Sequence, residues 1–383
     1  MIRPMDQRTE FVMRAMSTEN FRALCAEFGI SAKTGYKWRE RFLRWGMAGM
    51  AERSRRPRRH AQELSEDEIC DIVRLKRAHE HWGPRKLREL YRRQKGAAPS
   101  ESSFKRVLSK LNLVRPRRAR RQVPPGGRLW SGQRGQSPNE VWTVDFKGWW
   151  YDAQRRRCEP LTVRDEYSRY VLELRRVADS STSTVKACFE RLFERYGLPG
   201  AIRSDNGTPF AHVHGVLGLS RLSAWWVALG IDVERGRPGH PQDNGAHERL
   251  HRDMAQQLTC GCSSQAELDL WREEFNHERP HEALGLKCPG ELYCKSARRY
   301  AGTPEDLVYP GMEPRKVSRD GNLRLWSGRY FIGASVAGWS VGLKPLTDQQ
   351  WEVWFANLLL GWIDIRSQSF QRAKAGPLEA GQP

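Results

Sequence analysis

Apolar positions recur at helical spacing through the first 113 residues; from Val141 onward, short β-branched runs alternate with helical stretches. Residues 20–28 have helical spacing, Gly29 can supply a left-handed turn, and Ser31 sits where an N-cap would open a second helix through Lys33, Thr34, Tyr36, Lys37 and Trp38. Ile30 and Trp38 are the inward-facing positions of this pair. A second set opens at Ser65, where Ser65-Glu66-Asp67-Glu68 fits a capping box ahead of Ile69, Ile72, Val73 and Leu75. Helices over residues 84–93 and 100–111 follow, separated by Gly96-Ala97-Ala98-Pro99. Both sets read as helix, turn, helix, the order in which the start of the last helix enters a DNA groove. Either could also be an ordinary helical hairpin. Strands are predicted at 141–144, 161–163, 170–174 and 201–205. Near Tyr309 the texture changes again: residues 323–326 and 329–332 read as two strands joined at Ser327-Gly328, with further strand-like runs at 339–343 and 351–355.

These changes divide the chain into helix-turn-helix segments over 1–60 and 61–114, a linker over 115–138, an α/β domain over 139–305, an all-β module over 306–366 and a disordered tail over 367–383. Seven Arg, no acid and the breakers Pro124, Pro125, Gly126 and Gly127 mark the linker.

Charge sharpens the division. Lys and Arg number 65 against 45 Asp and Glu, a net charge of +20. Residues 1–140 hold 33 basic and 15 acidic side chains, whereas the remainder is close to balance. A polyanionic partner therefore belongs to the first third. Lys33, Thr34, Lys37, Ser103, Lys105 and Arg106 are the candidate contacts at the starts of the two recognition helices. Arg55, Arg56, Arg117 and Arg118 lie in Arg-rich runs suited to phosphates or a minor groove. Fifteen Trp and thirteen Phe argue against a disordered basic chain. No run is apolar for long enough to span a membrane, and the opening residues lack a secretory core, so the expected location is the cytoplasm. The eight cysteines are scattered and expected to be reduced; Cys260-Gly261-Cys262 with Cys288 and Cys294 lacks zinc-finger spacing.

The chemistry concentrates in three acids. Asp145 ends an apolar strand, Asp205 ends another ahead of Asn206-Gly207, and Glu248 lies on a helix that Pro241 opens, four residues beyond Asn244. Each alone has a structural explanation: a strand-end cap, a turn, a solvated helix face. Converging, they would repel unless cations intervened. Two hard divalent ions about 4 Å apart, Mg2+ or Mn2+, would resolve the repulsion and suit in-line phosphoryl transfer. Asp243 competes with Glu248 for the third place, and His240, His247 and His251 flank it as candidate phosphate contacts.

Taken together, these residues resemble an insertion-sequence transposase of the DDE superfamily, whose catalytic core is similar to that of retroviral integrases. The likeness rests on Trp142-x-x-Asp145, Ser204-Asp205-Asn206-Gly207 and Pro241-x-x-Asn244-(x)3-Glu248, with Asp165-Glu166-Tyr167-Ser168-Arg169 and Asn276-(x)2-Arg279-Pro280-His281 as supporting segments. It implies a multidomain α+β protein: N-terminal helix-turn-helix domains, a central RNase-H-like α/β integrase core with a five-stranded mixed sheet, and a small SH3-like β-barrel over 306–366 that binds DNA or makes oligomer contacts. It also implies that Asp145, Asp205 and Glu248 are catalytic and hold two Mg2+ (or Mn2+) ions. The partners would be double-stranded DNA, as transposon terminal inverted repeats and target, and further copies of the chain in a homodimer or higher oligomer. Relatives often carry Lys seven residues after the Glu; here that position is Ala255, and Arg252, with Asn244, is the candidate DNA contact in its place. A catalytically inactive DNA-binding regulator and a junction-resolving RNase-H-like nuclease are the rival readings.

Overall fold

Phe11 organises the first three helices. In the computed structural model, which describes residues 4–51, 63–114, 135–146, 148–151, 155, 157–236, 245–258, 264–326 and 328–373, it is fully buried and meets Phe21, Phe28 and Trp38 edge-on. Helices α1 (Pro4–Ala15), α2 (Phe21–Glu27) and α3 (Ala32–Trp45) pack around it, with Ile30 and Trp38 turned inward as expected. The Asn20 side chain caps α2 and Ser31 caps α3; between them Gly29 takes φ +62°. This unit, Met1–Ser65, is compact in itself, and Glu66–Pro383 forms a second. The basic runs carrying Arg55, Arg56, Arg117 and Arg118 lie outside the described residues.

The second unit opens with α4 (Glu66–Ala78), α5 (Pro84–Lys95) and α6 (Glu101–Lys110). Their apolar stripes enclose Ile72, Trp82, Leu87, Phe104 and Leu108. They are followed by β1 (Val141–Phe146), a short hairpin of β2 (Trp150–Tyr151) and β3 (Arg157–Cys158), β4 (Pro160–Asp165), β5 (Val171–Arg176), α7 (Thr182–Tyr196), β6 (Ala201–Ser204), α8 (Arg221–Ala228), β7 (Asp232–Arg235), α9 (Gly245–Gln257) and α10 (Gln265–Glu273). The sheet runs β5-β4-β1-β6-β7, with β5, β4 and β1 antiparallel and β6 and β7 parallel to β1. This is the five-stranded mixed sheet that the resemblance implies.

Strand alternation gives the sheet two different faces. Trp142, Val144, Leu161 and Val163 turn to one side and join the apolar faces of α7 and α8. Thr143, Asp145 and Thr162 turn to the other, towards α9. Leu250 and Met254 of α9, with Leu258 just beyond it, pack with Leu268, Trp271 and Phe275 against Val171 and Leu174 of the edge strand β5. Asn276 completes that edge: its Oδ1 accepts from the Val171 N–H at 2.8 Å and its Nδ2 donates to the Val171 carbonyl at 3.0 Å.

The C-terminal module differs from expectation in two ways. Strands β8 (Glu313–Lys316), β11 (Ser340–Pro345), β12 (Gln350–Phe355), β13 (Leu358–Asp364) and β14 (Ser369–Arg372) form a sheet in the order β14-β13-β12-β11-β8, beside a hairpin of β9 (Asn322–Leu325) and β10 (Gly328–Phe331). Among the described residues β14 and β8 do not pair, so the sheet is open and the small SH3-like barrel is not confirmed. The apolar side of the module is covered by α8 and its neighbours rather than by closure: Val216, Leu219, Ala224 and Val227 share one core with Leu323, Leu343, Phe355 and Ile363. Secondly, β14 lies within the stretch expected to be disordered, pairing Ser369 with Asp364 and Phe370 with Ile363.

Candidate active site

Two of the three acids are set by the parallel pairing of β1 with β6. Val141 lies opposite Ala201 and Thr143 opposite Arg203, and Asp145 and Asp205 stand equally far beyond those pairs, at the carboxyl ends of adjacent strands. Asp145 is half-buried and opposite Thr162 of β4. Asp205 is exposed, and its Oδ1 accepts the Gly207 N–H at 3.2 Å. The Gly at 207 serves this turn, because a Cβ there would meet Asp205 Oδ2 at 3.0 Å.

Glu248 is exposed near the start of α9, and its position is fixed by the residue before it. His247 is fully buried. Its Nδ1 lies 3.0 Å from the Thr143 hydroxyl and its Nε2 2.5 Å from the Thr162 hydroxyl, so the ring bridges β1 and β4. Thr162 Oγ1 donates to the Asp145 carbonyl at 2.8 Å and lies 2.9 Å from His251 Nε2, while His251 Nδ1 is 3.8 Å from Asp145 Oδ2. Burial, reinforced by His251 and Arg164, holds the His247 imidazole neutral, well below its usual range. His247 is therefore a seat for α9 and not the phosphate contact that its place beside Glu248 suggested. The signal was available: the buried stripe Leu250, Met254, Leu258 extends back one turn to residue 247. His240, Asn244, Asp243 and Cys260-Gly261-Cys262 lie outside the described residues.

The donor set at these three positions is oxygen only, which suits a hard divalent cation. Among the described residues no group of three or more His, Cys, Asp or Glu side chains is gathered closely enough to hold an ion.

Reasoning from motifs missed the polar network behind the site. Arg203, 2% exposed, pairs with Glu166 at 2.6 Å and Glu234 at 2.7 Å, tying β6 to β7 and to the turn after β4. In that turn Asp165 accepts from the Ser168 N–H and hydroxyl and from the Asn139 N–H, at 2.8, 2.6 and 2.7 Å. Asp165 and Ser168 of the acidic Ser-Arg segment are thus a buried scaffold.

At the helix-turn-helix segments the two recognition helices begin alike. The Thr34 N–H donates to Ser31 Oγ and the Ser103 N–H to Ser100 Oγ, each at 3.2 Å, and both hydroxyls also lie against their caps. Thr34 and Ser103 are thereby engaged in capping. Lys33, Lys37, Lys105, Arg106 and, on α9, Arg252 are exposed.

Residues 135–241 match an integrase core domain, as do 229–289; residues 7–58 match a helix-turn-helix domain and 34–108 a homeodomain-like domain. The chain carries an integrase core. It is 28% identical over 242 residues to a protein of insertion element IS407 from Burkholderia multivorans, covering 60% of this chain and 82% of that one. A protein of insertion element IS476 from Xanthomonas euvesicatoria is 24% identical over 230 residues, covering 58% and 63%. The Gag-Pol polyprotein of Koala retrovirus is 28% identical over 199 residues, covering 52% of this chain and 11% of the polyprotein. Among the described residues of this integrase-core protein, no helix is long and apolar enough to cross a membrane.

Proposed function

We propose that this integrase-core protein is a DNA transposase, acting in the cytoplasm on the ends of an insertion sequence. Its helix-turn-helix segments bind terminal inverted repeats, and Asp145, Asp205 and Glu248 carry strand cleavage and strand transfer. The observation that supports this most directly is the pairing of β1 with β6 beside an α9 anchored through His247: two strand-end aspartates and a helix-borne glutamate on one side of a mixed sheet.

In this reading Asp145 and Asp205 would hold divalent cations from the rigid sheet, and Glu248 would complete the set from α9. Two Mg2+ or Mn2+ ions, when bound, supply Lewis acidity at the scissile phosphate. Thr162 and His251 orient Asp145, and His247 keeps Glu248 from drifting off the sheet. Water attacks phosphorus at the element's end and breaks its P–O3′ bond, freeing the element's 3′ hydroxyl; that hydroxyl then attacks a target phosphorus and displaces the target strand's own 3′ oxygen as a hydroxyl, with no covalent bond between protein and DNA. Two ends must be joined, so two or more copies act together.

Asp145→Asn and Glu248→Gln are expected to abolish both cleavage and joining of end-bearing DNA in magnesium, while leaving duplex binding within about twofold, because neither acid belongs to the recognition helices. Strand transfer retained by either variant would overturn the assignment. Light scattering of the joined complex is expected to show at least two copies.

A further inference from the structure

A second cluster of charge, which the proposed chemistry does not use, draws on α5, α9 and the segment around Arg279, which pairs with α9 through Asp253 and with α5 through Glu282 and Glu291. Arg279 is 5% exposed and pairs through Nη2 with Asp253 at 2.9 Å, yet its Nε and Nη1 have no hydrogen-bond partner. His281, 7% exposed, likewise leaves Nε2 unpartnered. Arg249, the residue after Glu248, shares Asp253 at 3.6 Å and is 61% exposed. Half-buried Lys86 of α5 and half-buried Arg169, in the turn after β4, complete the group.

Three of these groups are displaced by their neighbours. Burial, then Arg279 and Arg249, pulls the Lys86 ammonium down to about 8. Burial, then Lys86, Arg279 and Arg169, pulls His281 to about 2. Burial and then Arg249 lowers Arg169. The nearby carboxylates are few: Asp253 is shared between two arginines, and Glu282 lies 3.5 Å from Arg85. Half-buried like charges with unpartnered buried N–H groups are unfavourable in an empty fold. An anion with several acceptor oxygens relieves both penalties, and a phosphodiester matches the donor forks.

We propose that Lys86, Arg169, Arg249 and Arg279 form a seat for one backbone phosphate of bound DNA, linking the second helix-turn-helix segment to the helix that carries Glu248. Exposed Arg249 is the entrance; Arg279, with its unpartnered Nε and Nη1, is the floor. This seat rests on the transposase reading only for the identity of the polyanion. DNA held by α4–α6 is thereby fixed in register with α9, and the charge on α5 couples recognition to chemistry.

The test uses the full chain, a random-sequence DNA duplex and fluorescence anisotropy across a salt series, with thermal melts of every variant. The double variant Lys86→Met, Arg249→Gln is expected to weaken binding about tenfold and to flatten the slope of log K against log salt by about 0.9, the share of one phosphate. Lys86→Arg should keep both. Lys86→Met alone should melt no lower than wild type, because it removes a half-buried like charge. Glu194→Gln, on the exposed side of α7 and outside the cluster, should keep the wild-type slope. Wild-type affinity and slope in the double variant overturn the seat alone. A lowered melting temperature in Lys86→Met with unchanged binding makes the lysine structural and also overturns it. A wild-type chain that binds no duplex overturns the transposase reading and the seat together.

Discussion

His247→Ala tests the central structural claim, that a buried ring fixes Glu248 over the sheet. The substitution removes two hydrogen bonds, to Thr143 at 3.0 Å and Thr162 at 2.5 Å. Each is worth about 1 kcal/mol. Thr162 keeps the Asp145 carbonyl as acceptor, whereas the buried Thr143 hydroxyl loses the partner recorded for it, adding about 1 to 3 kcal/mol. The lost ring leaves a small cavity beside Leu250. The total, about 3 to 5 kcal/mol, is a large part of the about 5 to 15 kcal/mol that stabilises an ordinary domain, so the variant should remain folded but melt lower. Thr143→Val removes the same contact from the other side, at about 1 to 3 kcal/mol. Urea unfolding of both singles and the double should therefore give a coupling of about 1 kcal/mol or more. In a magnesium strand-transfer assay His247→Ala should lose far more activity than duplex affinity. Additive unfolding energies, or a variant with wild-type strand transfer, would refute the seat.

The remaining predictions concern the scaffold. Asn276→Ala strips the bidentate pairing from the Val171 backbone and should destabilise by about 2 to 4 kcal/mol in denaturant titrations. Asn276→Asp should not rescue it, because a carboxylate faces the Val171 carbonyl without a donor. In the first unit, a Cβ on Gly35 would stand 2.6 Å from Cys25 Sγ and 2.9 Å from Phe11 Cζ. Gly35→Ala should cost about 1 to 3 kcal/mol by overpacking, more than the gain of about 1 kcal/mol in helix propensity, and should lower the melting temperature of the first unit; an unchanged melt would contradict the packing. His281 is neutral in the fold and takes a proton near pH 6.5 when unfolded. The unfolded chain then binds the extra proton, so this group's stability is intact above about 6.5 and falls as pH drops towards about 2. Between pH 7.5 and 5, the denaturation midpoint of His281→Gln should fall less steeply than that of wild type.

Much of the candidate site was legible from local pattern. Ser31, Gly29 and Ser100 mark the helix boundaries because capping and left-handed turns are decided within a few residues. Four of the five core strands follow from β-branched runs, β7 coming only through the resemblance, and the positions of Asp145 and Asp205 at strand ends follow from where those runs stop. The network around Arg203, the pairing of Asn276 with Val171 and the cluster at Lys86 were not legible, since their partners are remote in the chain and become neighbours through strand order and helix crossing. Within the tail expected to be disordered after Arg366, Ser369–Arg372 departs from that expectation for a similar reason: it has little apolar pattern of its own and is ordered by the free edge of β13.

What the order of residues determined is the set of elements, the separation of a basic arm from a nearly balanced core and the identity of three acids, because periodicity, caps and charge act over a turn or a strand. The tertiary structure alone decided which polar groups are buried and with whom. His247 reads as a surface residue beside a catalytic candidate, yet it becomes the pin of the helix, because a buried imidazole is tolerated only where two hydroxyls from separate strands meet it. The C-terminal sheet stays open rather than closing for the corresponding apolar reason: α8 already covers the face that closure would have had to bury.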